Sequence, residues 1–411
     1  MSFKKIVVYF LLQMYHRYLY AQYMWQIKKD TVITWYYWDG DEFNGTKMNT
    51  DKWISGYPWS KISIRDEVIA LPENIEVNKG TLKFFVKKEK YTTKLQPWEI
   101  DTVEMKKKPQ KMIDENWTFN YTTGLLWGKK RYKYGYFELR FKHSRCNGMW
   151  PAFWLYGGHP NYELDFFELK GEKNNCMHVD IHCPDGCSNF KEGPFGYRKA
   201  WGHWIKTTGW FDESFNTISG SWTPEGISWY LNGVLVACFD KKIDIPMELS
   251  TGIGPANDNG PFSQGPDKKS VFPGVLELDY LRIWKTDSIN NNLELYFDAD
   301  TTNLPDIYAG DQGSLKPKSR IINLPKNYKP DKDFITLSII KESKRTYIIN
   351  NLGGIQGLGL VVEIIDERGD SFWKSTNLPL GLTRIFLDNK KGKYWVKVKA
   401  GNRTISQELK D

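Results

Sequence analysis

Cysteine is scarce, helical periodicity is nearly missing, and long apolar runs stop after the N-terminus. The 411-residue chain has five cysteines, Cys146, Cys176, Cys183, Cys187 and Cys238. An odd count leaves at least one unpaired unless two chains are bridged, and a Cys183–Cys187 loop disulfide suits the spacing. The segment "CMHVDIHCPDGC" has the residue types of a zinc site. Strand alternation instead puts His178, Asp180 and His182 on one face and Val179, Ile181 and Cys183 on the other, which splits the donors and argues against zinc. No stretch beyond the N-terminus is apolar enough to span a bilayer. Residues 1–21, "MSFKKIVVYFLLQMYHRYLYA", carry two lysines and then a short apolar run, and read as a cleavable secretory signal rather than a buried strand or helix. With no cysteine near the expected cut, a lipoprotein anchor is disfavoured. Lys4, Lys5 and Arg17 account for three of the eight net positive charges, so the mature chain is only mildly basic. Lysine-rich runs such as "VKKEKYTTK" suit solvated loops as well as an anionic polymer, and nucleic acid is not indicated.

Aromatic residues, by contrast, are abundant at 15%, with 18 Trp. Their flat apolar faces and polar edges suit sugar rings, and they also fill β-cores. From about residue 31 the chain is a series of short aromatic and β-branched runs broken by Gly, Asn, Asp and Pro, such as "GTLKFFVKK", "YGYFELRFKH" and "GVLELDYLRIWK". This pattern predicts an all-β sandwich or barrel. Asn232-Gly233 in "YLNGVLV" predicts a tight hairpin, because both residues tolerate positive φ. The strand run closes at "LDYLRIWK". Residues 287–330 are polar, rich in Asn and Asp, and read as a linker with one short strand. Residues 331–411 hold a second, smaller β set with no cluster of His or carboxylates, and read as an immunoglobulin-like accessory module.

"YELDFFELKG", residues 162–171, places three carboxylates in six positions. On a regular strand Glu163 and Asp165 share one face, but Glu168 falls on the apolar one. A buried ionised carboxylate among aliphatic side chains is costly. A β-bulge between Asp165 and Glu168 removes the conflict, since one extra residue resets the alternation. Glu163, Asp165 and Glu168 then line one face. Regular strand spacing separates the outer Cα atoms by roughly 13 Å, and inward-leaning glutamates on a curved strand bring their carboxyls closer. A retaining glycosidase needs about 5–5.5 Å between nucleophile and acid. Like charges so near one another keep one glutamate protonated. An exposed acidic strand or a calcium site would use the same residues.

Just upstream stands "YGYFELRFKHSRCNGMWPAFWLYGG". With it, the chain resembles glycoside hydrolase family 16, whose signature is Glu-x-Asp-x-x-Glu after a Trp-Pro-Ala-Phe-Trp strand. "WDGDEFNGTKMNTDKW", "YTTGLLWGKKRYKYGYFELR", "SWTPEGISWYLNGVLV" and "FPGVLELDYLRIW" resemble further family segments in order, over about residues 35–285. The resemblance implies a concanavalin-like β-jelly-roll sandwich with an open cleft, and a catalytic domain over residues 22–286. It implies Glu163 as nucleophile, Glu168 as general acid/base and Asp165 as the residue assisting the nucleophile. It further implies the bulged branch of the family, with laminarinases and endo-galactanases. Asn216 stands where the family usually has His, and a Cys-rich turn follows the acid strand; both put the substrate in doubt more than the chemistry.

Trp150 and Trp154 share one alternation phase, with Ala152 between, and are candidates for sugar stacking or for the core. His182 matches a family histidine near the scissile bond. Trp127, Trp201 and Trp204 fall in loop-like stretches where further subsites could form. The chemistry needs no metal or organic cofactor, although the resemblance implies a structural calcium, with Asp279 and Glu42 in the matching neighbourhoods. The tail resembles C-terminal β-sandwich domains of secreted enzymes, some of which are sorting signals. The expectation is a monomeric retaining endo-β-glycosidase, secreted, periplasmic or on the cell surface. Its substrate is a polysaccharide, first a β-1,3- or β-1,3/1,4-glucan. A β-linked galactan of the agar, porphyran or carrageenan type is the alternative, and a non-catalytic lectin is the rival from another class.

Overall fold

The computed structural model describes residues 20–27, 32–63, 66–78, 80–109, 112–113, 116–158, 162–183, 200–206, 211–212, 214–232, 234–239, 242–256, 265–286, 295–296, 321–323, 335–343, 346–353, 361–376, 381–387, 392–400 and 403–409. Most of the expected signal, Gly233 and Cys187 lie outside the described residues. The first described strand, Tyr20–Ile27, begins inside the expected signal.

Period-two runs of aromatic and branched residues build two large sheets packed face to face, a β-jelly-roll sandwich. The front sheet has the order Leu295–Tyr296, Leu125–Tyr132, Met247–Pro255, Met149–Tyr156, Glu163–Leu169, Cys176–His182, Ala200–Lys206, Ile321–Asn323. The back sheet runs Val234–Phe239, Gly226–Leu231, Asn216–Thr223, Gly135–His143, Gly274–Lys285, Val32–Asp41 and on through Tyr20–Ile27. Side chains from the two inner faces interdigitate, as sandwich packing requires. Phe137 and Phe141 of the back sheet meet Phe166 and Phe167 of the front sheet, with ring centroids 5.4 and 4.5 Å apart. Trp35, Trp117, Trp127, Trp222, Trp229 and Trp284 are all fully buried, so much of the tryptophan surplus is core.

The expected hairpin is present: Leu231 pairs with Val234, and Asn232 has a φ of 50°. Residues 287–330, read as a linker, contribute two short strands, one pairing with Leu125–Tyr132 and the other, in parallel, with Ala200–Lys206. One short strand was expected there; the second escaped notice because each is only two or three residues long.

Towards the C-terminus, Ile335–Ser343, Thr346–Gly353 and Gly381–Phe386 extend the back sheet beyond Tyr20–Ile27. A separate four-stranded sheet contains Ser371–Ser375, Val361–Asp366, Tyr394–Ala400 and Arg403–Leu409. Ile339, Ile349 and Ile385 from the first group join Val362, Ile364 and Val396 from the second in an apolar cluster of their own. No described helix is long and apolar enough to cross a membrane.

Candidate active site

The acid strand, Glu163–Leu169, lies mid-sheet between Met149–Tyr156 and the histidine strand, Cys176–His182. Glu163 pairs with His182, Asp165 with Asp180 and Glu168 with His178, and the register shifts between Asp165 and Glu168. Phe166 and Phe167 together oppose Val179 alone, the two-against-one arrangement that defines a bulge. Both phenylalanines turn into the core, fully buried. Gly220 of the back sheet makes room, since a Cβ there would collide with the Phe166 ring. The Asp165 carbonyl accepts a 3.0 Å hydrogen bond from Trp229 Nε1 across the core. The bulge is thus wedged between aromatic packing and a bond to the opposite sheet.

The result is one face carrying four carboxylates and two imidazoles. Glu163, Asp165, Glu168 and Asp180 each expose under a tenth of their surface. His182 Nε2 lies 3.4 Å from Asp180 Oδ2, 3.6 Å from Asp165 Oδ2 and 4.0 Å from Glu163 Oε2. His178 Nδ1 lies 3.2 Å from Glu168 Oε2 and 3.8 Å from Asp180 Oδ2. Burial, reinforced by the nearby Lys170 ammonium, pushes the His178 pKa down to about 3. The His178–Glu168 contact is therefore a hydrogen bond of a neutral imidazole rather than an ion pair. Asp180 is itself fixed, accepting a 2.7 Å hydrogen bond from the Ile181 amide. Gly202, paired with Asp180 on the next strand, leaves space for both groups. A Cβ there would stand 2.8 Å from His178 Nε2 and 3.0 Å from Asp180 Oδ1.

Glu163, Asp165 and Glu168 open into a cleft whose floor includes Trp150, Ala152 and Trp154. Trp150 is half-buried, and its partner Gly254 faces open space. The far wall comes from residues 57–63 and 66–70, with Tyr57, Lys61 and Asp66 lining it. Sequence reasoning missed this wall, because no motif links it to acids a hundred residues later.

Trp127 needs correction. It lies in the strand Leu125–Tyr132 rather than a loop, and it is fully buried. Its ring meets Trp59 edge-on at 4.9 Å and Trp154 at 6.5 Å, so it supports the cleft from behind. Trp204 is also a strand residue, half-buried, its ring tilted 43° against His178 with centroids 4.9 Å apart. Trp201 is in the same strand, but its side chain lies outside the described residues.

In the neighbourhoods expected for calcium, Glu42 is held by Arg282 through both oxygens at 2.7 and 2.9 Å, and Asp279 is paired with Arg140 through one. Among the described residues, Glu163, Asp165 and His182 offer ligand atoms within 4.8 Å of one another, as do Glu168, His178 and Asp180. Among the described residues no cysteine joins either group, and Cys183 is disulfide-bonded.

Chemically, the face can hold a carboxylate nucleophile and a second carboxyl group able to exchange a proton. Comparison with known proteins adds what the chain is similar to. Residues 73–265 match the glycosyl hydrolases family 16. An endo-1,3-1,4-beta-glycanase of Rhizobium meliloti is 27% identical over 177 residues, 41% of this chain and 35% of that protein. A kappa-carrageenase of Pseudoalteromonas carrageenovora is 26% identical over 245 residues, 54% of this chain and 58% of that protein. The chain thus spans between a third and three-fifths of the length of these relatives. The structure of an endo-beta-1,3-glucanase from Pyrococcus furiosus superposes with a TM-score of 0.50 at 20% identity, covering 64% of this chain and 98% of that one, a likeness of fold.

Proposed function

We propose that the chain, whose residues 73–265 match the glycosyl hydrolases family 16, is a member of that family and a secreted, retaining endo-β-glycosidase acting on a polysaccharide. The observation that carries this is the bulge, which returns Glu168 to the face of Glu163 and Asp165 in a tryptophan-lined cleft. Glu163 attacks the anomeric carbon while Glu168 protonates the leaving oxygen; Glu168 then takes a proton from the water that releases the sugar. Asp165 orients Glu163. His182 and the indoles of Trp150 and Trp154 position the sugar rings. The acids perform this reaction without a metal or organic cofactor.

The first substrate is a β-1,3- or β-1,3/1,4-glucan, in keeping with the glycanase relative. A second reading, a sulfated galactan, is favoured by Lys61, an exposed cation on the cleft wall, and by the carrageenase relative. Reducing-sugar release from laminarin, barley β-glucan, agarose, porphyran and κ-carrageenan separates them. Release from a glucan is expected; release from a galactan alone reverses the ranking. Glu163→Gln should lower kcat on the best polymer by at least about 10³-fold. A variant that hydrolyses undiminished refutes the mechanism. Proton NMR of the first product should show the β-anomer ahead of mutarotation.

A further inference from the structure

Trp98 stands out as a costly residue in an exposed place, with 43% of its surface open to solvent. It sits in the 3₁₀ turn Pro97–Glu99, which is pinned rather than loose. Glu99 accepts from the Gln96 amide and the Ser60 hydroxyl, each at 2.9 Å. Trp98 Nε1 donates to the Trp59 carbonyl at 3.0 Å, which fixes the indole against the segment that walls the cleft. Two residues before Trp59, Tyr57 lines that cleft together with the acids. The Tyr57 and Trp59 rings are stacked, 5.3 Å apart and 16° from parallel. Trp98 is thus tied, through the Trp59 backbone, to the segment whose Tyr57 lines the cleft beside the acids.

We propose that Trp98 is the platform of an outer carbohydrate subsite on the cleft rim, where a polysaccharide chain stacks a pyranose face after leaving Tyr57. The inference rests on the polysaccharide reading of the cleft and adds a residue to it. An indole with its polar edge satisfied and an apolar face in water is the geometry a sugar ring uses, apolar C–H face on ring and hydroxyls to solvent. Ile100 and Val103, two and five residues further along the chain, are also exposed, at 46% and 65%. Continuity with the cleft makes a glycan the occupant. A buried role is not available to a ring this exposed, and its hydrogen bond orients it without consuming its face.

Trp98→Ala and Trp98→Phe in the Glu163→Gln background, run in native gels cast with laminarin, barley β-glucan or κ-carrageenan, test binding apart from turnover. In whichever polymer retards Glu163→Gln most, Trp98→Ala should weaken retardation three- to tenfold and Trp98→Phe should restore most of it. In the active enzyme, Trp98→Ala should raise KM for that polymer by a similar factor and leave kcat/KM on a trisaccharide or tetrasaccharide within twofold. Thermal midpoints read alongside separate misfolding, and Trp98→Phe keeps the test valid if the alanine variant is unstable. Equal losses on polymer and short oligosaccharide, unchanged retardation, or no retardation of the parent in any polymer would overturn the proposal. So would a dimer that Trp98→Ala dissociates, which assigns the surface to a second copy. Retardation that depends on Trp98 in a chain with no hydrolytic activity would instead refute the catalytic reading and leave the subsite standing.

Discussion

At the scale of single residues, the candidate site depends on an atom that is missing. Gly202 has no Cβ, and the space goes to His178 and Asp180, which face Glu168 and Asp165 across the strand pair. A methyl group 2.8 Å from His178 Nε2 and 3.0 Å from Asp180 Oδ1 cannot be accommodated without movement. Neither neighbour has a flexible end to give: the imidazole is fully buried and the carboxylate is tied to the Ile181 amide. Overpacking of this kind costs about 1–3 kcal/mol. Displacing His178 also displaces Glu168, its 3.2 Å partner. Gly202→Ala should therefore lower the thermal midpoint and reduce kcat on the best polymer by about ten- to a hundredfold. An alanine variant with wild-type kcat would remove His178 and Asp180 from the account of the site. The residue types of this support were legible: the alternation of "CMHVDIHC" put His178, Asp180 and His182 on one face. Gly202 was not, since a glycine's role as a void appears only when the neighbouring strand is in place.

At the scale of elements, the bulge couples fold and site. Phe166 and Phe167 fill the core, and their doubling turns Glu168 outward. Deleting Phe166 leaves Glu-Leu-Asp-Phe-Glu, whose plain alternation keeps all three acids on one face opposite His182, Asp180 and His178, but it removes a fully buried ring from the core. The expected result is a loss of about 3–5 kcal/mol of stability with the acid row still in place. Phe166→Leu keeps the residue count, so it should cost about 1–1.5 kcal/mol and retain hydrolysis within tenfold. Circular-dichroism melting with reducing-sugar assays distinguishes the two; a deletion variant that folds but does not hydrolyse would mean that the bulge sets the placing of the carboxyls and not only their face. This element could be read in the sequence because burying a charge is so unfavourable that only one backbone path suits "ELDFFEL". The Asn232 hairpin was equally local. The wall of residues 57–63 and 66–70 was not, because it is placed by long-range bonds such as Ser60 to Glu99. Trp127 misled for a related reason: "LLWGKK" has the glycine of a loop, yet pairing with Met247–Pro255 makes it a central strand.

At the scale of the whole molecule, three buried groups away from solvent tie stability to pH in opposite directions. Glu138, in the back-sheet strand Gly135–His143, is fully buried. Burial raises its pKa to about 7 from 4.5; the charge of Arg282 works against this, Glu42 adds to it, and Arg140 offsets it slightly. The folded chain thus holds this proton longer than the unfolded chain, and the stability it contributes is lost as pH rises from 4.5 through 7. His143 and His178 behave in the opposite sense. Burial lowers them from 6.5 to about 4 and about 3, so stability is lost as pH falls below 6.5. Between pH 4.5 and 6.5 the two histidines therefore act against Glu138, and the raised, buried Glu248 acts with it. Glu138→Gln removes only the carboxyl contribution. Its thermal midpoint relative to the parent should climb between pH 4.5 and 7 and then stay level, reflecting a gain of about 3 kcal/mol across that window. A difference that is flat with pH would mean that Glu138 titrates in the folded chain as it does in water, and that the Arg282 guanidinium, paired with Glu42, neutralises it as well.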